Sequence, residues 1–411
     1  MSAVRATVRL DRARIEGGLE AFVQWLRRTG YASQDQYDFW GTDYGIWAKA
    51  RFYRHGTLAA PLVAPLLALD WFWPGLRRRV APPRRFAIGD AHYLMGFAAR
   101  YRTTGDQRAL DAAIALAATL LESSVPGFAG PCWGYPFDWQ TRRGLVPRGT
   151  PLITTTPYVF DAFLELYELT GVARYREVAV SIAGFAAIDI RDLAVGNGFA
   201  ATYTPFDASA VINASAYRAA CLARAAALTG DDRYRQLARG NAQFVVEQQR
   251  ADGAWPYSAH DLRDGFIDHI HTCFVLKGLY RTSLALGDGA LLRAVERGYE
   301  FYRRHLFHRD GRPRPFAETA KPQIVWLELY DYAEALNLAL LLRAALPTEP
   351  TADELAGRLL DELQMRDGAF VTRVLRGGLR NRVPYHRWAQ AQAFCALSRY
   401  AEALTIETPR R

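Results

Sequence analysis

The side chains best suited to chemistry in this sequence are carboxylates and histidines in polar stretches that follow glycines. Asp138 lies in YPFDW, Asp207 in TPFD and Asp268 in FIDHIH. Hydrolysis of a glycosidic bond requires two carboxyl groups, one acting as an acid and one as a base or nucleophile. Because Asp138 and Asp207 occupy equivalent places in successive segments, we expect them to be neighbours in space. Asp268 precedes an apolar helical stretch, so capping that helix and chemistry explain it equally well. The wider set of acidic candidates is Asp43, Asp90, Asp138, Asp207, Asp268, Glu328 and Asp331.

Two histidines at the starts of apolar helical stretches offer a second kind of chemistry. His271 follows Asp268 closely, and His386 lies in YHRW. A histidine titrates near neutral pH and can exchange a proton with a substrate. Beside an arginine that neutralises a uronate carboxylate, it can remove the neighbouring proton, as elimination and epimerisation both require. The candidate catalytic residues are therefore Asp138, Asp207, Asp268, His271 and His386.

The same polar stretches carry aromatic rings and arginines that suit a sugar ligand. Aromatic faces bind the apolar faces of sugar rings, and arginines bind carboxylate or phosphate groups. The chain has 51 Lys and Arg against 42 Asp and Glu, a formal net charge of +9, which favours an anionic partner. The candidate substrate-binding residues are Trp133, Tyr135, Arg148, Tyr203, Trp255, Tyr257, Arg387 and Trp388.

These stretches recur because the chain repeats a helical hairpin. Four similar turns, TGDQRAL, TGVARY, TGDDRY and LGDGAL, begin at Thr104, Thr170, Thr229 and Leu286. Their separation of about 60 residues matches one long hairpin with its loop. In each hairpin one helix is apolar almost all round, which predicts burial on both sides, and the other has a charged face. The apolar helices are therefore expected to form an inner ring, with the long aromatic and acidic loops at one rim.

We predict one all-α domain over residues 1–411, an (α/α) toroid of six or seven helical hairpins with its long loops on one rim. The first helix, over Asp11–Thr29, is counted as an outer helix. Short alternating stretches at 199–203 and 369–374 predict small β-ribbons at the long-loop rim.

This layout resembles the (α/α) toroid of six-hairpin glycosidases, polysaccharide lyases and terpenoid cyclases. The segments WGYPFDWQTRRGLVPRGTP, NGFAATYTPFDASAVINAS, DGFIDHIHTCFVLKGL and YHRWAQAQAFCAL also resemble bacterial toroid proteins of surface-polysaccharide biosynthesis clusters. The resemblance implies a carbohydrate-active enzyme that acts on an anionic bacterial polysaccharide or oligosaccharide. A glycoside hydrolase is slightly preferred over a polysaccharide lyase or a uronate epimerase.

Two further interpretations stay open. A non-catalytic glycan-binding protein, working with polysaccharide-assembly machinery, would use the same rings and arginines without an acid–base pair. A terpenoid cyclase-like enzyme is the other alternative, although the acidic DxDD box that begins cyclisation is absent. The residues that resemble one cyclase repeat are Arg239, Gly240, Phe244, Gln248, Gly253 and Trp255.

Several classes of site are not expected. The chain has neither a Walker loop nor a GxGxxG segment after a strand, and its basic residues do not form a nucleic-acid-binding stripe. Cys132, Cys221, Cys273 and Cys395 are far apart and are expected to be buried thiols. We predict no metal, no cofactor and no membrane-spanning segment. Because the first residues lack the apolar core of a signal peptide, we predict a cytoplasmic protein.

Overall fold

The computed structural model describes residues 11–259, 265–320 and 322–407, with fourteen α-helices and nine short strands in those ranges. Six helices form an inner ring: α4 (Ala87–Thr104), α6 (Thr156–Thr170), α8 (Ile212–Thr229), α10 (His269–Leu286), α12 (Leu329–Leu342) and α14 (Ala391–Glu407). Six others lie outside it: α1 (Arg12–Thr29), α5 (Gln107–Glu122), α7 (Ala173–Ile188), α9 (Asp232–Glu247), α11 (Gly289–His305) and α13 (Ala352–Arg358).

The inner ring is closed. Each inner helix packs against the next in chain order, and α14 packs against α4. Every inner helix also packs against one outer helix, and α1 fills the outer position beside α14. The first and last described helices therefore form the sixth hairpin together, and the number of hairpins in the described chain is six.

The difference between inner and outer helices follows from their composition. Helix α8 buries fourteen of its eighteen residues, including seven alanines, whose small side chains allow close helix packing. Its partner α9 buries five of sixteen, because arginines and other polar residues occupy its outer face. An apolar surface on all sides requires neighbours on all sides, which only the inner position provides.

The recurring TGD turn joins an inner helix to its outer partner. Helices α4, α6, α8 and α10 each end at a glycine with φ between 66° and 74°, a left-handed conformation that costs glycine little. In three of these four turns an Asp follows and accepts a first-turn N–H of the next helix; Asp106, for example, accepts the N–H of Arg108. The turns lie at one end of the ring, so the long loops lie at the other.

Helices α2 (Asp43–His55) and α3 (Ala60–Phe72) form an insertion between α1 and α4. Short 3₁₀ segments follow each of them, Gly56–Ala59 and Pro74–Arg79. The insertion has a small core of its own, made by Phe39, Ala48, Val63 and Leu66. It accounts for the second helical region before α4, which made a seventh hairpin conceivable from the sequence.

The strands are short antiparallel pairs in the long loops. Strand β1 (Trp139–Thr141) pairs with β2 (Gly144–Val146), β3 (Asp192–Val195) with β4 (Gly198–Ala201), and β5 (Ile267–Asp268) with β6 (Phe316–Glu318). Strands β7 (Val325–Glu328), β8 (Arg373–Leu375) and β9 (Arg380–Asn381) form a three-stranded sheet. The ribbons predicted near 199–203 and 369–374 are confirmed by β4 and β8.

The toroid prediction is confirmed, and the hairpin count settles at six within the described ranges. All four cysteines are buried and free, as expected. Among the helices of the described ranges, none combines the length and the apolar character needed to cross a bilayer.

Candidate active site

Eight side chains meet at the N-terminal ends of the inner helices, on the long-loop side of the ring. We call this group the bowl. It consists of Tyr135, Trp139, Tyr203, Tyr257, His271, Phe274, Tyr330 and Trp388.

One side of the bowl comes from the loops before α6, α8 and α10. The ring centroid of Trp139 lies 5.8 Å from that of Tyr135 and 5.8 Å from that of Tyr203. Burial raises the pKa of Tyr203, and the neighbouring Tyr257 adds to the increase. Tyr135, Tyr203 and Tyr257, which come from three successive loops, therefore lie on one side of the bowl.

The other side of the bowl comes from the starts of α10, α12 and α14. The imidazole of His271 lies 4.7 Å from the ring of Tyr257 and 5.6 Å from that of Phe274. Tyr330 then lies 6.0 Å from Phe274 and 6.1 Å from Trp388, almost parallel to the indole. Aromatic faces and edges thus line the rim at the starts of the inner helices, and such faces suit the apolar faces of sugar rings.

Helix α10 begins with a carboxylate–imidazole pair in this wall. Asp268 is the N-cap residue, and its Oδ1 accepts the main-chain N–H of His271 at 2.9 Å. Nδ1 of His271 lies 2.8 and 2.7 Å from the two carboxylate oxygens. Because an ionised carboxylate can only accept, Nδ1 carries the hydrogen, and Nε2 of the neutral ring keeps its lone pair. With 25% of its side chain exposed, His271 is held in one orientation and is accessible to solvent.

A second carboxyl group lies at the start of the neighbouring inner helix. Asp331, in the first turn of α12, is 4% exposed, and its Oδ2 has no hydrogen-bond partner in the described chain. Burial raises the pKa of Asp331 well above its usual value, and the negative charges of Glu328 and Asp268 raise it further. A carboxyl group that is buried beside other negative charges holds its proton more tightly than a free carboxyl group does.

The wall beside Asp331 contains a cluster of charges that reaches the α2–α3 insertion. Arg373 of β8 forms an ion pair with Glu328 of β7 and lies 3.6 Å from Asp70 of α3. It also donates a hydrogen bond to Gln36. Burial raises the pKa of Glu328, and Arg373 opposes this increase. Arg373 therefore shares its charge among carboxylates of the protein.

Arg387 lies beneath the bowl and contacts two of its rings, Tyr135 and Trp388. Its guanidinium lies 3.9 Å from the ring centroid of Trp388 and 4.5 Å from that of Tyr135. Nε and Nη2 donate to the two oxygens of Asp35 at 2.7 and 2.6 Å. Arg387 is 2% exposed and Asp35 is fully buried. Arg387 thus supports Tyr135 and Trp388, and its charge is already paired instead of being presented to a substrate carboxylate.

The structure gives Asp138 and Asp207 mainly loop-forming contacts. Asp138 accepts the main-chain N–H of Arg148 at 2.8 Å and so fixes the loop after the β1–β2 hairpin. Asp207 accepts main-chain N–H groups of Tyr203, Thr204 and Ser209. Both are half-buried. Each of these two carboxylates holds its own loop through Asx-type contacts, which short polar side chains make readily, and their expected pairing in space stays a prediction.

Three of the sequence candidates belong to the core instead of the bowl. Trp133 and Trp255 are 2% and 3% exposed, and each indole N–H donates to a main-chain carbonyl at 2.8 Å, those of Leu120 and Val245. His386 is 2% exposed, and burial lowers its pKa to about 4. Trp133 and Trp255 have their indole N–H groups bonded within the core, and His386 packs against the rings of Trp25 and Tyr93, so these three assignments are corrected.

The remaining candidates lie at the edge of the site. Arg148 is exposed on the loop that Asp138 fixes, near the β1–β2 hairpin. Arg143, in the turn of that hairpin, points its guanidinium to the Ser258 hydroxyl at 3.5 Å, next to Tyr257. These arginines leave positive charge at the bowl's edge.

Sequence reasoning did not single out Asp331, Glu328 and Arg373, although both acids were in the wider candidate set. It missed Asp35 and Tyr330 entirely. The sequence does contain a signal that could have identified Asp331, since LYDYAEALNLALLL places an acid in the first turn of a largely apolar inner helix. A buried carboxyl group at such a position requires a specific reason, because ionised groups are rarely buried without one.

A cavity of about 710 Å³ lies along the ring axis and is bordered by the C-terminal halves of the inner helices. It reaches inward to Tyr158, which shares a hydrogen bond with Tyr217 below the bowl. Its charged lining is largely paired; Asp161, for example, binds both Arg224 and Arg281. Because these pairs join α6, α8 and α10, the cavity lining has a structural role in holding the ring together.

No group of three or more His, Cys, Asp or Glu side chains able to hold a metal ion occurs in the described residues. Asp268 and His271 are close, but they are engaged with each other.

No family model and no curated protein matches this chain in sequence, but solved structures match its fold over most of its length. Unsaturated glucuronyl hydrolase from Bacillus sp. GL1 is 14% identical, with a TM-score of 0.62 over 96% of this chain and 98% of that one. The fold is the (α/α)6 toroid. A GH76 α-mannanase from Bacteroides thetaiotaomicron is 12% identical, with a TM-score of 0.61 over 91% and 99% of the two chains. Cellobiose 2-epimerase from Spirochaeta thermophila is 14% identical, with a TM-score of 0.58 over 84% and 98%. These neighbours are hydrolases and an epimerase that act on carbohydrates, and at such identities they establish the fold alone.

Proposed function

We propose that this protein is a glycoside hydrolase that cleaves an anionic glycan in the bowl. The feature that carries the proposal is the buried Asp331 at the start of α12, whose pKa is raised by burial and by the nearby negative charges, next to the Asp268–His271 pair at the start of α10. One group holds a proton and the other is oriented to accept one. Hydrolysis of a glycosidic bond needs this division of roles between two groups.

In the proposed reaction, Asp331 donates its proton to the glycosidic oxygen as the bond to the anomeric carbon breaks. A water molecule attacks that carbon, and Nε2 of His271 accepts the proton that the water loses. Asp268 holds the imidazole in the required tautomer and stabilises its charged form. One water is added across one bond, and proton exchange with solvent restores Asp331 and His271.

An anionic substrate is supported by the charges around the bowl. Arg143 and Arg148 lie at its edge, and the six inner helices begin on this side of the ring. Helix N-termini favour negative charge. The chain also carries a net charge of +9, which raises the local concentration of anionic ligands.

A second candidate function is proton abstraction, as in a uronate epimerase or polysaccharide lyase. The observation that favours it is the contact of His271 with Tyr257. Both reactions need one group that removes a proton and another that donates one, and an imidazole and a phenol side by side can take these two roles. This alternative uses His271 directly on a carbon-bound proton and does not need Asp331 as an acid.

One experiment separates the two functions. The purified protein is incubated with a panel of acidic polysaccharides and oligosaccharides, and the products are analysed by mass and ultraviolet absorbance. Hydrolysis gives shorter products that contain one added water and have no new chromophore. Elimination gives an unsaturated chromophore, and epimerisation in D₂O gives a deuterium label without cleavage. The hydrolase proposal fails if the only product carries the chromophore or the label.

A further inference from the structure

The α2–α3 insertion carries an unusual share of the exposed apolar surface. Seven of the fifteen large hydrophobic side chains that are exposed in the described chain lie within residues 44–80. Leu58 at the tip is 88% exposed, and Trp73 after α3 is 59% exposed. Isolated exposed apolar residues are ordinary, but such a concentration in one short segment marks an interaction surface.

The exposed face of α3 is apolar along its whole length. Pro61, Ala64, Pro65 and Phe72 are all exposed, and their spacing of three, four and eleven residues places them on one side of the helix. The opposite side, with Val63 and Leu66, fills the insertion's own core. The helix therefore buries one apolar face and presents a second one outward.

Basic side chains flank this face almost without acidic ones. Asp43, the first residue of α2, is exposed, but residues 44–80 contain six Lys or Arg and a single Asp. That one acid, Asp70, is buried against Arg77. Arg51, Arg54, Arg78 and Arg79 are exposed, and the Arg51 guanidinium lies 6.0 Å from the ring centroid of Trp47.

We propose that the α2–α3 insertion docks on an anionic lipid bilayer surface. Exposed Trp, Phe and Leu side chains bordered by arginines suit the boundary between lipid headgroups and acyl chains. Arginines near such a surface are attracted by the negative headgroups. Because Asp70 and Arg373 connect the insertion to the bowl wall, docking also places the bowl close to the membrane.

The test is sedimentation of the full chain with lipid vesicles. The protein binds vesicles that contain phosphatidylserine, binds phosphatidylcholine vesicles weakly, and is released by high salt, which screens the attraction. The double variant Arg78→Gln/Arg79→Gln weakens binding about thirtyfold, since each basic side chain near an anionic surface contributes about fivefold. Phe72→Ser/Trp73→Ser weakens binding as well, through the apolar contribution.

Matched controls come from elsewhere on the surface. Arg174→Gln/Arg233→Gln removes two exposed arginines from the first turns of α7 and α9, and Ile188→Ser removes one exposed apolar side chain; these variants bind like the unaltered protein. Circular dichroism confirms folding, and the arginine variant alters only exposed side chains. The proposal is overturned if phosphatidylserine vesicles do not bind the protein, or if the control and insertion variants bind equally. It is also overturned if the insertion variants only convert a dimer to a monomer, which would make this face a contact between copies of the chain.

Discussion

The buried pair between Asp35 and Arg387 should contribute strongly to stability, and its size can be derived from the structure. Two charge-assisted hydrogen bonds of 2.7 and 2.6 Å join groups that are almost fully buried. Asp35→Asn keeps the shape and the Oδ1 acceptor for the Tyr37 N–H, but leaves the Arg387 charge unpaired. Breaking such a pair costs about 3–5 kcal/mol. With 411 residues and an unfolding entropy of about 2.1 cal/mol/K per residue, the expected fall in Tm is roughly 3–6 °C.

Urea and thermal unfolding of a double-mutant cycle provide the assay. Asp35→Asn/Arg387→Gln removes both charges, so it should be at least about 1–2 kcal/mol more stable than the sum of the single variants implies. Asp232→Asn, at an exposed ion pair with Arg235, serves as the control and should change stability little. The explanation is refuted if Asp35→Asn costs less than about 1 kcal/mol, or if the effects of the two single variants simply add in the double variant.

Three further predictions concern residues that the structure assigns to the core or to the bowl. Trp255→Ala should lower stability by about 3–5 kcal/mol without a selective loss of substrate affinity, whereas Tyr257→Ala should raise KM and leave Tm nearly unchanged; the opposite pattern would place Trp255 in the site. Burial raises the pKa of Asp90 to about 6, and Arg85 opposes the increase. The stabilising contribution of Asp90 is therefore full below about pH 4 and is lost as the pH rises through about 6, so over this range the free energy of unfolding of the wild-type protein should fall by about 3 kcal/mol relative to that of Asp90→Asn. Parallel curves of stability against pH for the two proteins would contradict this. His386→Phe should leave the turnover rate and its pH profile unchanged, since the ring is buried. Loss of an ionisation from that profile would instead show that His386 takes part in the reaction.

Much of the fold follows from the sequence because it depends on local chemistry that repeats. A glycine in the left-handed conformation followed by a capping Asp ends one helix and begins the next, and Gly105–Asp106 shows both roles within two residues. The apolar circumference of α8 requires neighbours on all sides. Neither inference needs knowledge of distant contacts. The α2–α3 insertion was harder to place, because its helices resemble a hairpin in sequence but pack around a separate core.

The site was only partly predictable, for a physical reason. Sequence alone shows which residue types occur in a loop, but not which way each side chain turns from the main chain. Trp255 and Tyr257 are two residues apart in one loop, yet the first fills the core and the second enters the bowl. The Asp268–His271 pair was easier to predict from the sequence, since a spacing of three residues at a helix start brings two side chains to one face.

Ion pairs between residues far apart in the chain could not be predicted from the sequence. Asp35 and Arg387 are separated by 352 residues, and the role of Arg387 as a support for Tyr135 and Trp388 depends entirely on that partner. The sequence therefore suggested an arginine that binds substrate, and the structure shows one whose charge is neutralised inside the protein.

The central claim is tested most directly by the turnover and pH profile of Asp331→Asn on a substrate identified in the glycan panel. We expect kcat to fall about 10²–10⁴-fold, the decline in rate at high pH that marks the acid to disappear, and Tm to stay unchanged or rise. Asp138→Asn, which alters a loop contact, should reduce kcat far less under the same conditions. Near wild-type turnover with an unaltered pH profile in Asp331→Asn would contradict the account.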